Sequence, residues 1–593
     1  MKLLHAIFAG LVFAAFCGDA VRAFAAPKKD KGEITLEEAL ETNVYSPKSR
    51  DKIPSAKDKV IGKWSWETAE KDPALADLPL PNRPWKDVAK NDALIARMDE
   101  ILCGDPKKTK AAPIAETFPG VPVGECELLT RTVEIDPAIG GWHSLGLYAP
   151  PGQKISVVVK GKRKFDMDLR IGCHSDSLTK DHLEKHHENT LKRPPRMTNT
   201  IRIKADEKKK VELANPFGGL IYLDVKGVFP KEKPVTVEIS GGIASPLYIL
   251  GAKDEKTGVD IAVVKTEEWQ KQLAETKAPW GEIAVPRLIF TVPIEHLRIL
   301  KIPRRLCKNL QRGMAVQDWL IGWDKHPNQV ATPMRFVIDV QISVGWGHSG
   351  YPAMGYMAWG DCIKNGSLVK EGSWGLWHEI GHNHQWSPFR FDGCTEVTVN
   401  LFSTISQTQG IGVAYERAWD GTSIAPEDMK ASAQAFLRNS NKTSFDEEED
   451  ARLKLYFFVE LMRGLGYDSF RDVALRHHDE DPFKDGATNR DRWDWFYTAL
   501  CDATKKDLTF YFTKWKIDLS DKAKNKVKAK RYAEWAPCRG WPRNFPDYAE
   551  EKAARAAKEA ADRAAAIEKQ KKEREEREKE ERRKRAKEIL KNI

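Results

Sequence analysis

Fifteen residues, Gly372 to Trp386, read GSWGLWHEIGHNHQW and hold three of the chain's fourteen histidines, one glutamate and three tryptophans. Within them His378, Glu379 and His382 stand in the spacing H-E-x-x-H. On an α-helix two imidazoles four residues apart lie on one face as close neighbours, so a chain that uses them together is expected to be helical here. On such a helix both rings reach one metal ion while Glu379 projects beside it, placed to act as a base on water. The competing account is an aromatic core that happens to contain histidine.

The helix has a stop signal, because Pro388 disfavours helical geometry at Ser387. Gly381 costs a helix about 1 kcal/mol relative to Ala, which predicts that another backbone or the substrate approaches closely there. His384 points away from the metal face and is assigned to packing or surface hydrogen bonding. Trp374, Trp377 and Trp386 read as core or helix-packing residues, with Trp374 also a candidate for a substrate subsite.

A catalytic zinc site needs three protein ligands and one open position. Downstream, in DGCTEVTVNLFSTISQ, stand Glu396 and, four residues on, Asn400. Glu396 is the candidate third ligand beside His378 and His382, and the Asn400 amide oxygen is placed to accept from a ligating imidazole and fix its orientation. The alternative is that Glu396 merely begins a helix, where the dipole favours a carboxylate. With one Zn2+ per chain the chemistry is hydrolysis, Glu379 serving as general base and then general acid.

At 593 residues the chain exceeds one ordinary core, and several units are expected. Lys2, an apolar run from Leu3 to Phe16 and the small residues Ala23, Ala25 and Ala26 read as a signal peptide over residues 1–26. That run is too short to span a membrane and no later stretch approaches the length, so a secreted, periplasmic or cell-surface protein without a transmembrane segment is expected. Of nine cysteines, Cys17 lies in the signal; an even remainder permits disulfides without revealing their pairing. The net charge of +10 is scattered among nearly as many acidic as basic residues, which argues against a nucleic-acid groove.

Residues 27–120 read as a linker and small helical region. Residues 121–245 carry short β-rich runs such as QKISVVVKG, GGLIYLDVKG and PVTVEISGG, expected to form an accessory antiparallel β-sandwich. Residues 246–535 combine the strands RLIFTVP and MRFVIDVQISVGW with the histidine helix and later amphipathic helices; this is an α+β unit with a helical carboxyl-terminal subdomain from about 447. Residues 546–593, dominated by Ala, Glu, Lys and Arg, read as a charged helical or disordered tail.

WHEIGHNHQW followed by TEVTVNLFS resembles the enhancin-like and mucin-degrading zinc metallopeptidases, peptidase family M60 and its relatives, a gluzincin group with two histidines and a downstream glutamate. DVQISVGWGHSGYPAMGY looks like that family's segment before the active-site helix, with Ala353 where a larger aliphatic residue is more usual. LGLYAPPGQKISVVV and NPFGGLIYLDV look like its β-sandwich, SPLYILG and KAPWGEI like the entry to its catalytic unit, and LMRGLGYDSF and LTFYFTKWKIDLS like its helical end. The likeness spans about 125 to 520. It implies an endopeptidase acting on glycoproteins, especially mucin-like substrates with O-linked glycans, with glycans also held by the sandwich.

Further assignments rest on less. AMGYMAW, Ala353 to Trp359, is a candidate edge strand on which an extended substrate lies. His348, Tyr351 and Tyr356 are candidates for contacting substrate or the tetrahedral oxyanion, each equally suited to a structural role. Adjacent His477 and His478 diverge on a helix and are assigned to the surface. Cys173, His174 and Asp176 are assigned a structural role. Two other functions stay open: a general exported zinc protease indifferent to glycans, and a glycan-binding adhesion protein with a vestigial zinc fold.

Overall fold

The computed structural model describes residues 102 and 104–535, apart from 179–191, 195, 206–208, 254–259, 301–302, 327–329, 364–372, 386, 420–421, 423, 440–443 and 484–485, together with single positions between 561 and 573. The expected signal peptide, Trp386, Cys103 and Cys538 lie outside the described residues, as does most of the expected tail.

Eight strands make the first unit: β1 (Leu129–Ile135), β2 (Gly141–Ala149), β3 (Ile155–Lys160), β4 (Met167–Ile171), β5 (Asn199–Ile203), β6 (Val211–Leu213), β7 (Gly219–Val225) and β8 (Val235–Ala244). In β8, Val235, Val237 and Ile239 are buried while Thr236, Glu238 and Ser240 are less so, the period of two that a strand imposes. All pairings are antiparallel, in the order β5-β4-β7-β2-β8-β3-β6 with β1 also on β8. Only Leu147 and Tyr148 of β2 join Ala244 and Ile243 of β8. Residues from both sides of this narrow join, including Leu147, Val157, Leu169, Leu223 and Val237, share one apolar core.

The second unit opens with β9 (Leu247–Lys253), β10 (Asp260–Ala262), α1 (Thr266–Glu275), β11 (Trp280–Val285), β12 (Leu288–Pro293), α2 (Ile294–Arg298) and α3 (Arg304–Leu320). After β13 (Met334–Asp339), β14 (Gly347–His348) and β15 (Ala353–Tyr356) come α4 (Trp374–His384), α5 (Thr395–Ile405) and α6 (Pro426–Arg438). The helices α7 (Ala451–Leu465), α8 (Tyr467–Glu480), α9 (Asn489–Thr504), α10 (Thr509–Lys514) and α11 (Asp521–Lys528) complete it. The sheet is mixed, in the order β10-β9-β11-β12-β13-β15-β14. Strands β11, β12 and β13 are buried along their whole lengths, as strands covered on both faces must be. Their core takes in Trp142 and Tyr222 from the first unit and Leu310, Met314, Leu376, Trp377 and Ile380 from α3 and α4. A second core gathers Val397, Leu401 and Phe402 of α5 with the aromatic interior of α6 to α11.

Two expectations are corrected. The run from Ala353 to Trp359 is not an edge strand: β15 ends at Tyr356, gives way to a 3-10 turn over Met357–Ile363, and lies between β13 and β14. The edge is β14, only two residues long and too short to leave a pattern in the sequence. His477 is buried at 2% exposure against Phe483 and Trp495, and burial pushes its imidazole down to about 4. Among the described residues no disulfide joins Cys126, Cys173, Cys307, Cys362, Cys394 or Cys501. Among them, too, no helix is long and apolar enough to cross a membrane.

Candidate metal centre

Helix α4 carries His378, Glu379 and His382, and ends at His384 as the backbone of Gln385 turns extended ahead of Pro388. Gly381 lies against α5: a Cβ there would stand 2.8 Å from Phe402 Cβ and 3.2 Å from Val399 Cγ2. The close neighbour anticipated at this glycine is thus helix α5, which brings Glu396 up to the histidines.

His378 Nε2 and His382 Nε2 are 3.2 Å apart, and Glu396 Oε2 lies 3.1 Å from the first and 3.4 Å from the second. Three N/O ligands on a tetrahedral ion at ~2.0–2.1 Å stand about 3.3 Å from one another, and this triangle matches that spacing. Among the described residues it is the one group of three metal-binding side chains, with ligand atoms all within 4.8 Å.

The outer nitrogens are also accounted for. His378 Nδ1 is 3.2 Å from Asn400 Oδ1, and His382 Nδ1 is 3.0 Å from Gln385 Oε1. Which end of each amide faces its histidine is fixed by the other end: Asn400 Nδ2 donates to Glu396 O at 2.8 Å, and Gln385 Nε2 donates to Thr395 O at 2.7 Å and Thr398 Oγ1 at 2.6 Å. Both imidazoles therefore carry their proton on Nδ1 and turn Nε2 lone pairs toward the Glu396 carboxylate. Three electron-rich atoms converging in this way fit a cation between them.

Glu379 is 2% exposed, its Oε1 has no hydrogen-bond partner, and burial pushes its carboxyl up. A carboxylate so placed binds a proton more readily than one in water, which suits proton transfer.

The remaining candidates spread around this centre. Trp374 opens α4 with its ring 4.2 Å from that of His378. His348 has both ring nitrogens engaged, Nε2 on Asp176 Oδ2 and Nδ1 on Ser349 O, each at 2.8 Å. The Tyr351 hydroxyl accepts from the backbone N–H of Trp142 at 2.8 Å, bracing the first unit against the second. Tyr356 packs edge-on to Trp346 at 5.7 Å. His384 is buried with Nε2 2.9 Å from Asp318 Oδ1, away from the triangle. Trp359 lies where a Cβ on Gly347, Gly355 or Gly375 would collide with its ring, so one indole is packed against β14, β15 and the start of α4. Sequence reasoning passed over Gln385; its one signal is a position three residues after His382, just beyond the helix end.

The family described as Peptidase M60, enhancin and enhancin-like matches residues 241–516, and the N-terminal domain of M60-like peptidases matches residues 127–240. TRPM8 channel-associated factor 2 from Homo sapiens is 30% identical over 399 residues, which are 65% of this chain and 39% of that protein. TRPM8 channel-associated factor 3 from Rattus norvegicus is 28% identical over 377 residues, 63% of this chain and 38% of its own. The chain thus spans about two fifths of the length of the curated relatives it matches. IMPa from Pseudomonas aeruginosa, solved in complex with an O-glycopeptide, shares the fold with a TM-score of 0.55 at 16% identity, over 79% of this chain and 58% of that one. A functionally unknown conserved protein from Bacillus anthracis str. Ames gives 0.53 at 19% identity, over 69% and 80%.

Proposed function

The chain belongs to the M60, enhancin and enhancin-like peptidase family, and from that membership we propose that it is a zinc-dependent endopeptidase cleaving glycoproteins that carry O-linked glycans. The observation that carries the proposal is the triangle of His378, His382 and Glu396 beside a buried Glu379 with one carboxylate oxygen unpartnered. When bound, zinc supplies Lewis-acid polarisation of the scissile carbonyl and a lowered pKa for the attacking water. His378, His382 and Glu396 would hold the ion, and Asn400 and Gln385 keep the two rings turned toward its place. Glu379 takes the water's proton on its unpartnered oxygen and returns it to the leaving amine nitrogen.

The glycan part of the proposal draws support from the family resemblance and from a neighbour of the same fold solved with an O-glycopeptide. The first unit is proposed to act as an accessory β-sandwich, the helices from α7 onward as a helical subdomain, and the apolar run at Leu3–Phe16 as an export signal. A second reading, binding without proteolysis, is favoured by relatives named as channel-associated factors.

Glu379→Gln separates the two. It is expected to leave one zinc per chain and lower kcat at least about 100-fold on a defined mucin-type glycoprotein, cleavage being mapped by intact mass. Undiminished cleavage by the variant defeats the assignment of Glu379, and no cleavage by the wild type favours the binding reading. Equal wild-type rates before and after deglycosylation defeat the glycan requirement.

A further inference from the structure

The first unit sends one segment, Cys173 to Leu178, across to the second. His174 Nδ1 lies 3.2 Å from Asp339 Oδ2, and Arg193 Nε donates to Asp339 Oδ1 at 2.9 Å, all three side chains at most 3% exposed. This buried junction anchors the end of β13. Two residues beyond His174, Asp176 Oδ2 accepts from the backbone N–H of Ser343 at 2.7 Å and from His348 Nε2 at 2.8 Å. One carboxylate from the first unit thus ties the middle of the loop between β13 and β14 to the last residue of β14.

That loop leads into the strand that lies beside Glu379. Its Val344 and Trp346 are 41% and 40% exposed, unusual for large apolar side chains in this protein. It runs into β14, where a Cβ on Gly347 would come within 3.0 Å of Glu379 Cγ. The Asp176 carboxyl is held down to about 2: burial opposes ionisation, and the His348 and Ser343 contacts outweigh it.

We propose that Asp176 is a positioning residue for the peptidase site: supplied by the N-terminal domain, it clamps the Ser343–His348 loop and fixes the wall of the substrate cleft beside Glu379. The N-terminal domain is then a structural part of the active centre as well as its neighbour. Asp176 touches neither the triangle nor Glu379 in any described hydrogen bond; it acts through the loop. A loop that contacts substrate in ground state and transition state alike affects KM more than kcat.

The proposal rests on the hydrolase reading, and its test carries one readout that does not. In the full-length chain, Asp176→Asn keeps the side-chain shape and removes the charge. The variant is expected to retain one zinc per chain, to exchange backbone amides of residues 343–349 at least 10-fold faster while those of α4 stay unchanged, and to lose at least 10-fold in kcat/KM on an O-glycopeptide, mainly through KM. Unchanged exchange over 343–349 overturns the clamp, and so does an unchanged KM in an active enzyme. If the wild type cleaves no glycopeptide, the hydrolase reading fails while the exchange comparison still decides the clamp. Should D176N not fold, His348→Phe removes one of the two donors instead. It must loosen the same amides, and wild-type exchange there overturns the proposal equally.

Discussion

Both imidazoles of the triangle are oriented by side-chain amides, and each amide is oriented in turn by what its nitrogen donates to. Gln385→Ala removes the acceptor for His382 Nδ1 and frees that ring to rotate or change tautomer. Zinc affinity is expected to fall about 10- to 100-fold, measured by competition with a chelator of known affinity, with the fold intact by circular dichroism. Asn400 could be named from sequence because it shares a helical face with Glu396. Gln385 could not, because its place depends on the backbone leaving the helix at that residue, a geometry no period describes. His477 was misplaced for a related reason: Phe483 and Trp495, which bury it, come from the following loop and from another helix.

At the level of elements, the centre depends on how closely α4 and α5 pack, and Gly381 sets that distance. Gly381→Ala gains about 1 kcal/mol of helix propensity. Its new methyl must displace Phe402 at its Cβ, an atom fixed by the backbone of α5, and not the far end of a flexible side chain. Overpacking therefore wins, and a net loss of roughly 1–3 kcal/mol by denaturant unfolding is expected, with weaker zinc binding because His382 is the next residue. The helix, its stop and its close neighbour were readable from spacing and from Gly and Pro. The edge of the sheet was not: two residues of β14 carry no alternation, and the longer run in β15 drew the assignment instead.

Across the whole molecule the two units are joined by buried charge. Arg335 of β13 donates to Glu282 Oε1 of β11 at 2.8 Å and to Ser144 Oγ of β2 at 2.8 Å, and Tyr222 of β7 donates to the same Glu282 oxygen at 3.1 Å. Arg335→Ala leaves Glu282 buried without its cation and is expected to cost about 3–5 kcal/mol, seen as a lower denaturant midpoint for the entire 127–516 region. That both units exist, one β-rich and one α+β, follows from the change of texture near residue 245; that they share a core does not, since Trp142 and Tyr222 read as ordinary strand residues.

The triangle itself straddles a boundary. His378 and His382 ride on a helix seated in one apolar core through Leu376, Trp377 and Ile380, whereas Glu396 rides on a helix seated in the other through Val397, Leu401 and Phe402. The site is therefore a strain gauge for the molecule. A slip that drew the two cores apart by about 1 Å would stretch the imidazole-to-carboxylate separations of 3.1 and 3.4 Å well past the roughly 3.3 Å that a tetrahedral ion sets between its ligands. An ion held there works as a rivet, so whatever motion admits a bulky chain must hinge elsewhere, in segments that neither core grips.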